Sequence, residues 1–192
     1  MANKDHINQG LLLEYITLLW NVVGCVVVVF AAYTARSVAL LGFGIDSLIE
    51  IFASIVVVWQ LKSINKDKEK FAEHLICMAF LLLAAYILIQ SIIVLFTQFH
   101  ASNSPLGIFW LAITAVAMYL LAFGKSRVGK KLNNPVLMKE AKVTLVDGFL
   151  ATSVLVGLLL QALFKFWWAD PLTGFVIVYY GVKEGLHTFD NH

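Results

Sequence analysis

An all-α membrane protein with six transmembrane helices is the fold class that the sequence predicts, and three observations lead to it. Hydrophobic residues make up 60% of the 192 and charged residues only 14%, where a soluble domain carries about 45–50% and about 25%. The apolar residues gather in long runs, which marks a membrane protein rather than an oversized core. Stretches such as residues 26–29, 81–83 and 158–160 are apolar on every face. A barrel strand alternates between apolar and polar, so a six-stranded barrel is set aside.

The elements follow in order. Residues 11–33 form the first apolar segment after a polar lead. It is about twice as long as a signal-peptide core and lacks a small-residue cleavage site, so it reads as a retained helix. The second, third and fourth segments cover residues 37–61, 75–99 and 105–123. The fifth covers 141–164, its apolar run beginning at Val143. The sixth, residues 168–187, opens beyond an aromatic corner of Phe166, Trp167 and Trp168, the kind of anchor found at a bilayer interface. It extends amphipathically through Glu184 and His187. Most of these segments reach the roughly 20 residues that a helix needs to cross the hydrocarbon core. With no linker, low-complexity stretch, histidine-rich insert or internal repeat, residues 1–192 read as a single transmembrane domain without a soluble C-terminal domain.

Charge orients the bundle and excludes some functions. With the N-terminus in the cytoplasm, the inner side receives twelve basic residues and the outer side only Arg36 and Lys165. The inner set runs from Lys4 through Lys62, Lys66, Lys68 and Lys70 to the group that includes Lys125, Arg127 and Lys130. That asymmetry in short loops predicts a multi-pass protein of the cell membrane, as in a bacterial inner membrane, with both termini cytoplasmic. The net charge of +2 and the lack of any binding motif argue against nucleic acid. Cys25 and Cys77 lie in apolar runs without a pairing pattern and read as small packing residues.

Three acidic residues fall inside apolar segments: Asp46, Glu50 and Asp147. A carboxylate at mid-bilayer costs at least about 2.5–3.5 kcal/mol, so such residues face a cavity or a partner and mark a functional site. Asp46 and Glu50 stand four apart and therefore share one helix face. Two carboxylates held there repel, and they share a proton unless a cation intervenes. A divalent cation satisfies both at once, and the same pair can trade it for protons. The competing reading is a pair of neutral carboxyls bonded to other helices; for Asp147, near its helix start, it is simple reach to the cytoplasmic surface.

Other polar residues carry weaker expectations. Glu14 is expected to snorkel towards the cytoplasmic surface, with a proton role as the alternative, and Asn21, Gln60, Gln90 and Gln161 to hydrogen-bond between helices. Asp170, ahead of Pro171, is expected to cap its own helix. Asp67, Glu69, Glu73 and His74 read as a solvated, salt-bridged loop face rather than a metal site. His100, His187 and His192 are isolated.

These residues bring a family into view. The stretch Ser37-Val-Ala-Leu-Leu-Gly-Phe-Gly-Ile-Asp46-Ser-Leu-Ile-Glu50-Ile-Phe-Ala-Ser54 resembles the second helix of cation diffusion facilitators, where an Asp-x-x-x-Asp or His-x-x-x-Asp pair binds the transported ion. Glu50 replaces the second Asp. Glu140-Ala-Lys-Val143-Thr-Leu-Val-Asp147 is similar to that family's Ala-Asp-Ala-x-His-x-x-x-Asp segment, with Asp147 on the ligand Asp and Val143 where the family has His. Trp168-Ala-Asp170-Pro171-Leu-Thr-Gly resembles the opening of its sixth helix.

The resemblance spans the first helix to about Phe189. It implies a transporter rather than an enzyme, with the ion between the second and fifth helices at Asp46, Glu50 and Asp147. The cargo would be zinc or another divalent transition metal exchanged for protons, and no resident cofactor is implied. The cytoplasmic domain through which many members dimerise is missing, so a homodimer would form through the membrane helices. Without the histidine the site is all oxygen, completed by water or a hydroxyl such as Ser47 or Thr144. Such a site tolerates manganese, iron(II) or cobalt beside zinc. Three other readings compete with this one. An intramembrane aspartyl hydrolase is suggested by Gly42-Phe-Gly44-Ile-Asp46, but Ile45 separates the glycine from the aspartate. An exporter of small organic cations would want an aromatic cavity, and only Phe43 and Phe52 are near. A non-transporting relative is suggested by Val143.

Overall fold

A computed structural model describes residues 2–62, 66–97 and 102–187. Every regular element among them is a helix: α1 (Ala2–Ala35), α2 (Val38–Lys62), α3 (Lys66–Thr97), α4 (Pro105–Leu132), α5 (Pro135–Phe164) and α6 (Ala169–His187). Three stretches are long and apolar enough to cross a membrane among the described residues: Asp5–Ala35, Pro105–Leu132 and Glu140–Phe164. α4 packs most extensively on α5, α1 on α2 and α3 on α6, with α1 also lying along α4.

The bundle buries its polar groups beside an apolar core and turns large apolar side chains outward. In α1, Gly10, Glu14, Thr17, Asn21, Gly24, Val28, Ala31 and Ala35 are buried, one every three or four residues. The opposite face exposes Leu12, Leu19, Val26, Phe30 and Tyr33. α2 repeats the pattern, with Asp46, Ser47 and Glu50 buried and Leu48, Phe52 and Ile55 exposed. Lipid solvates such an apolar surface, while small residues let helices approach closely enough for polar groups to meet. Gly44 shows the fit: a Cβ there would lie 3.0 Å from Val29 Cγ2.

The helices run past the apolar segments because hydropathy marks the lipid-crossing part and backbone hydrogen bonding continues into water. α1 begins at Ala2, α4 continues to Leu132 and α5 begins at Pro135. α3 begins at Lys66, so the acidic group expected in a loop (Asp67, Glu69, Glu73, His74) lies on its first turns. The side chains of that group, and those of Gln60, Cys77, Glu184 and His187, lie outside the described residues, as do His100 and His192 altogether.

Helix ends are fixed by local chemistry. Ser104 caps α4 through its hydroxyl, which accepts from the Gly107 N–H at 3.1 Å ahead of a Pro105 start. Asn133 adopts the left-handed conformation that ends α4, and the side chain of Asn134 accepts from the Leu137 N–H to open α5. Between α5 and α6 the backbone turns at Lys165 with φ 57°. There Phe164 stacks on Phe166 and Phe166 on Trp168, with centroids 5.6 and 5.1 Å apart.

Asp170 departs from expectation. Its side chain does not cap its own helix: it reaches across to the start of α2. One carboxylate oxygen accepts from the Ser37 hydroxyl, and the other from the Val38 N–H at 3.0 Å. Ser37 Oγ in turn accepts from the Leu40 N–H at 3.1 Å. A residue of α6 therefore supplies the α2 cap, since the first turn of any buried helix needs acceptors from somewhere. Asp170→Ala should destabilise the fold by about 1–3 kcal/mol, the cost of a lost cap with buried donors left unpaired. Asp170→Asn, which keeps one carbonyl acceptor, should lose less. Unfolding curves of the purified variants in the same detergent would check both.

Candidate functional site

α2 and α5 bring the three predicted carboxyls together. Asp46, Glu50 and Asp147 are 3%, 2% and 6% exposed, and the Asp147 side chain is hydrogen-bonded to both Glu50 and Asp46. Among the described residues no three of His, Cys, Asp or Glu are placed to hold a metal ion as they stand; Asp147 instead lies between its two neighbours, bonded to each. Three negative charges in one desolvated place repel strongly, and shared protons or a cation must balance them.

Glu50 is the most heavily tied of the three. Asn21 of α1 donates to Oε2 at 2.7 Å, and the Thr144 hydroxyl of α5 donates to Oε1 at 3.3 Å. Asn21 is thus the interhelical bonder expected of it, and its partner is the site itself. The two candidate hydroxyls separate: Thr144 touches Glu50, whereas Ser47 donates to Phe43 O within its own helix at 3.1 Å. Asp46 and Asp147 also line a narrow pocket with Val143, Val146, Leu150 and Ile177. Val143 therefore borders the space that its two neighbouring carboxylates face.

Two residues are not where the sequence places them. Glu14 does not snorkel to the surface, and Lys125 is not a loop residue. Both are 0% exposed, with Lys125 Nζ 3.1 Å from Glu14 Oε2. Lys125 also stands 3.3 Å from Glu140 Oε1 and donates to Thr144 Oγ1 at 3.0 Å. Ser54 of α2 donates to Glu140 at 3.4 Å. Thr144 is the link: it accepts from Lys125 and donates to Glu50. The missed signal is periodicity, since Met118, Leu121, Ala122, Lys125 and Val128 form one buried stripe at helical spacing. The basic asymmetry between the two sides survives the loss of Lys125 from the loop set.

Residues 15–191 match the family model of the cation efflux transmembrane domain. The chain belongs to the cation efflux family. A relative from Xenopus laevis, transmembrane protein 163, is 23% identical over 197 residues, which span 94% of this chain and 69% of that protein. The resemblance to cation diffusion facilitators is thus membership. The chain is a multi-pass membrane protein and a cation transporter of that type.

The buried trio gives this cation efflux protein a testable asymmetry. Lys125→Met leaves Glu14 and Glu140 without a counter-charge and should destabilise the fold by about 3–5 kcal/mol, as when one partner of a buried pair is removed. Glu14→Gln leaves Lys125 paired with Glu140 and should cost far less. Thermal unfolding in one detergent would rank the two, and equal losses would contradict the pairing.

Proposed function

We propose that this chain exports a divalent transition metal, bound at Asp46, Glu50 and Asp147 and exchanged for protons. The observation that carries the reading is the convergence of three buried carboxyls from α2 and α5, with Asp147 bonded to the other two, in a cation efflux chain. A divalent ion entering between them replaces the shared protons. Release of the ion to the far side lets protons return, which couples the two fluxes in opposite directions. Alternating access by rocking of helix pairs about a fixed site suits such a bundle.

The donor set favours a broad cargo. Three carboxylates with water or the Thr144 hydroxyl make an all-oxygen site, acceptable to zinc and also to manganese, iron(II) or cobalt. Family membership puts zinc first. The basic residues support cytoplasmic termini in a cell membrane.

Proteoliposomes loaded with a metal-sensitive dye test this. Zinc or manganese uptake should follow an imposed proton gradient, and Asp46→Ala, Glu50→Ala and Asp147→Ala should each drop to background. An Asp46→Ala protein that transports like wild type would sink the site assignment; movement of an organic cation instead of any metal would favour that other export class. Thr144→Val, which strips a hydrogen bond from Glu50, should weaken metal affinity about 10–100-fold. Val143→His places an imidazole beside Asp46 and Asp147 and should shift preference towards zinc over manganese in the same assay.

A further inference from the structure

Beside the three site carboxyls lies a second buried charged group, formed by Glu14 of α1, Lys125 of α4 and Glu140 of α5. Two carboxyls share one ammonium there, so with every group ionised the trio carries one excess negative charge. It is also incompletely bonded. Glu14 is fully buried, and its Oε1 has no hydrogen-bond partner among the described residues. Its Oε2 stands 3.1 Å from Lys125 Nζ by ion pairing rather than by an aligned hydrogen bond. An excess charge in a dry interior is costly, most of all on a carboxylate oxygen that no donor stabilises, and one proton removes that charge.

We propose that Glu14, Lys125 and Glu140 form a proton-carrying site separate from the cation site, charged and discharged in the opposite sense to it. The inference deepens the exchange reading above and rests on it for its role in transport. The charged groups that face Glu14 are Lys125 from α4, Glu140 from α5 and Glu50 from α2. Through Glu50 the trio and the cation site feel one another's charge, and the chain from Lys125 Nζ to Thr144 Oγ1 to Glu50 Oε1 joins them by hydrogen bonds. Unprotonated, the trio is negative and adds to the attraction that a divalent cation feels at Glu50. Protonated, it is neutral and that attraction falls. By reciprocity, a cation arriving at the carboxylates expels the proton from the trio. No ligand need be shared between the ions, because the coupling is one of charge at short range in a poorly screening interior.

Infrared difference spectra of the purified protein in lipid, taken across a pH step, read this proton directly. Wild type should show a carboxylic acid carbonyl band that follows pH, and zinc added at fixed pH should diminish it. Glu14→Gln and Glu140→Gln each remove the excess charge, so each should lose that band component; either one suffices if the other fails to fold. Loss in one variant alone supports the site and assigns the proton to that carboxyl. A band unchanged in both variants overturns the proposal, and zinc uptake in proteoliposomes would still stand on the three site carboxyls. A band that vanishes in the variants of a protein that moves no divalent cation keeps the proton site and sinks the transport reading instead.

Discussion

Glu50 accepts hydrogen bonds from two other helices at once, from Asn21 of α1 and Thr144 of α5. Asp147 of α5 adds a third tie to the same carboxyl. In lipid such contacts matter more than apolar burial, because a leucine gains little by leaving hydrocarbon for another helix. What holds the bundle is close approach of small residues and the polar groups that this approach lets meet. The stripe of Gly10, Thr17, Asn21, Gly24, Ala31 and Ala35 on α1 serves that approach, and Glu50 is what α1 meets. The site and the bundle therefore depend on the same atoms.

The fold class was legible because lipid selects for length and apolarity, which add along the chain and need no partner to be read. The ends of the helices were not, since hydrogen bonding continues beyond the apolar segment, as in α3 from Lys66 and α4 to Leu132. Asp170 illustrates a different limit. Its place beside Pro171 suggests a local cap, but its acceptors serve Ser37 and Val38 at the start of α2. Local spacing cannot encode a partner that lies so far along the chain.

The candidate site was partly legible for the same reason. Asp46 and Glu50 reveal themselves by a four-residue interval that any helix turns into a shared face. Asp147 carried only its position in an apolar run and a family likeness, and its bonds to both neighbours became visible only in three dimensions. Lys125 was hidden by a counting rule. A lysine just past an apolar run reads as a loop residue, although the buried stripe through Met118 and Leu121 continues to it.

Among the described residues Lys125 is the one buried basic side chain, and its placement bears on how the site can work. A transporter must bind its ion well enough to admit it and loosely enough to release it. Three carboxylates alone in a poorly screening interior favour the first requirement at the expense of the second. At the site proposed above, a fixed ammonium one hydroxyl away from Glu50 would oppose part of the pull of the carboxylates on a divalent cation and so lower the cost of release. Glu14 and Glu140 set how much of that opposition is felt, since their charge offsets that of Lys125. The protein thus carries a cation that it cannot lose, placed where it would limit how tightly the proposed site holds a mobile one.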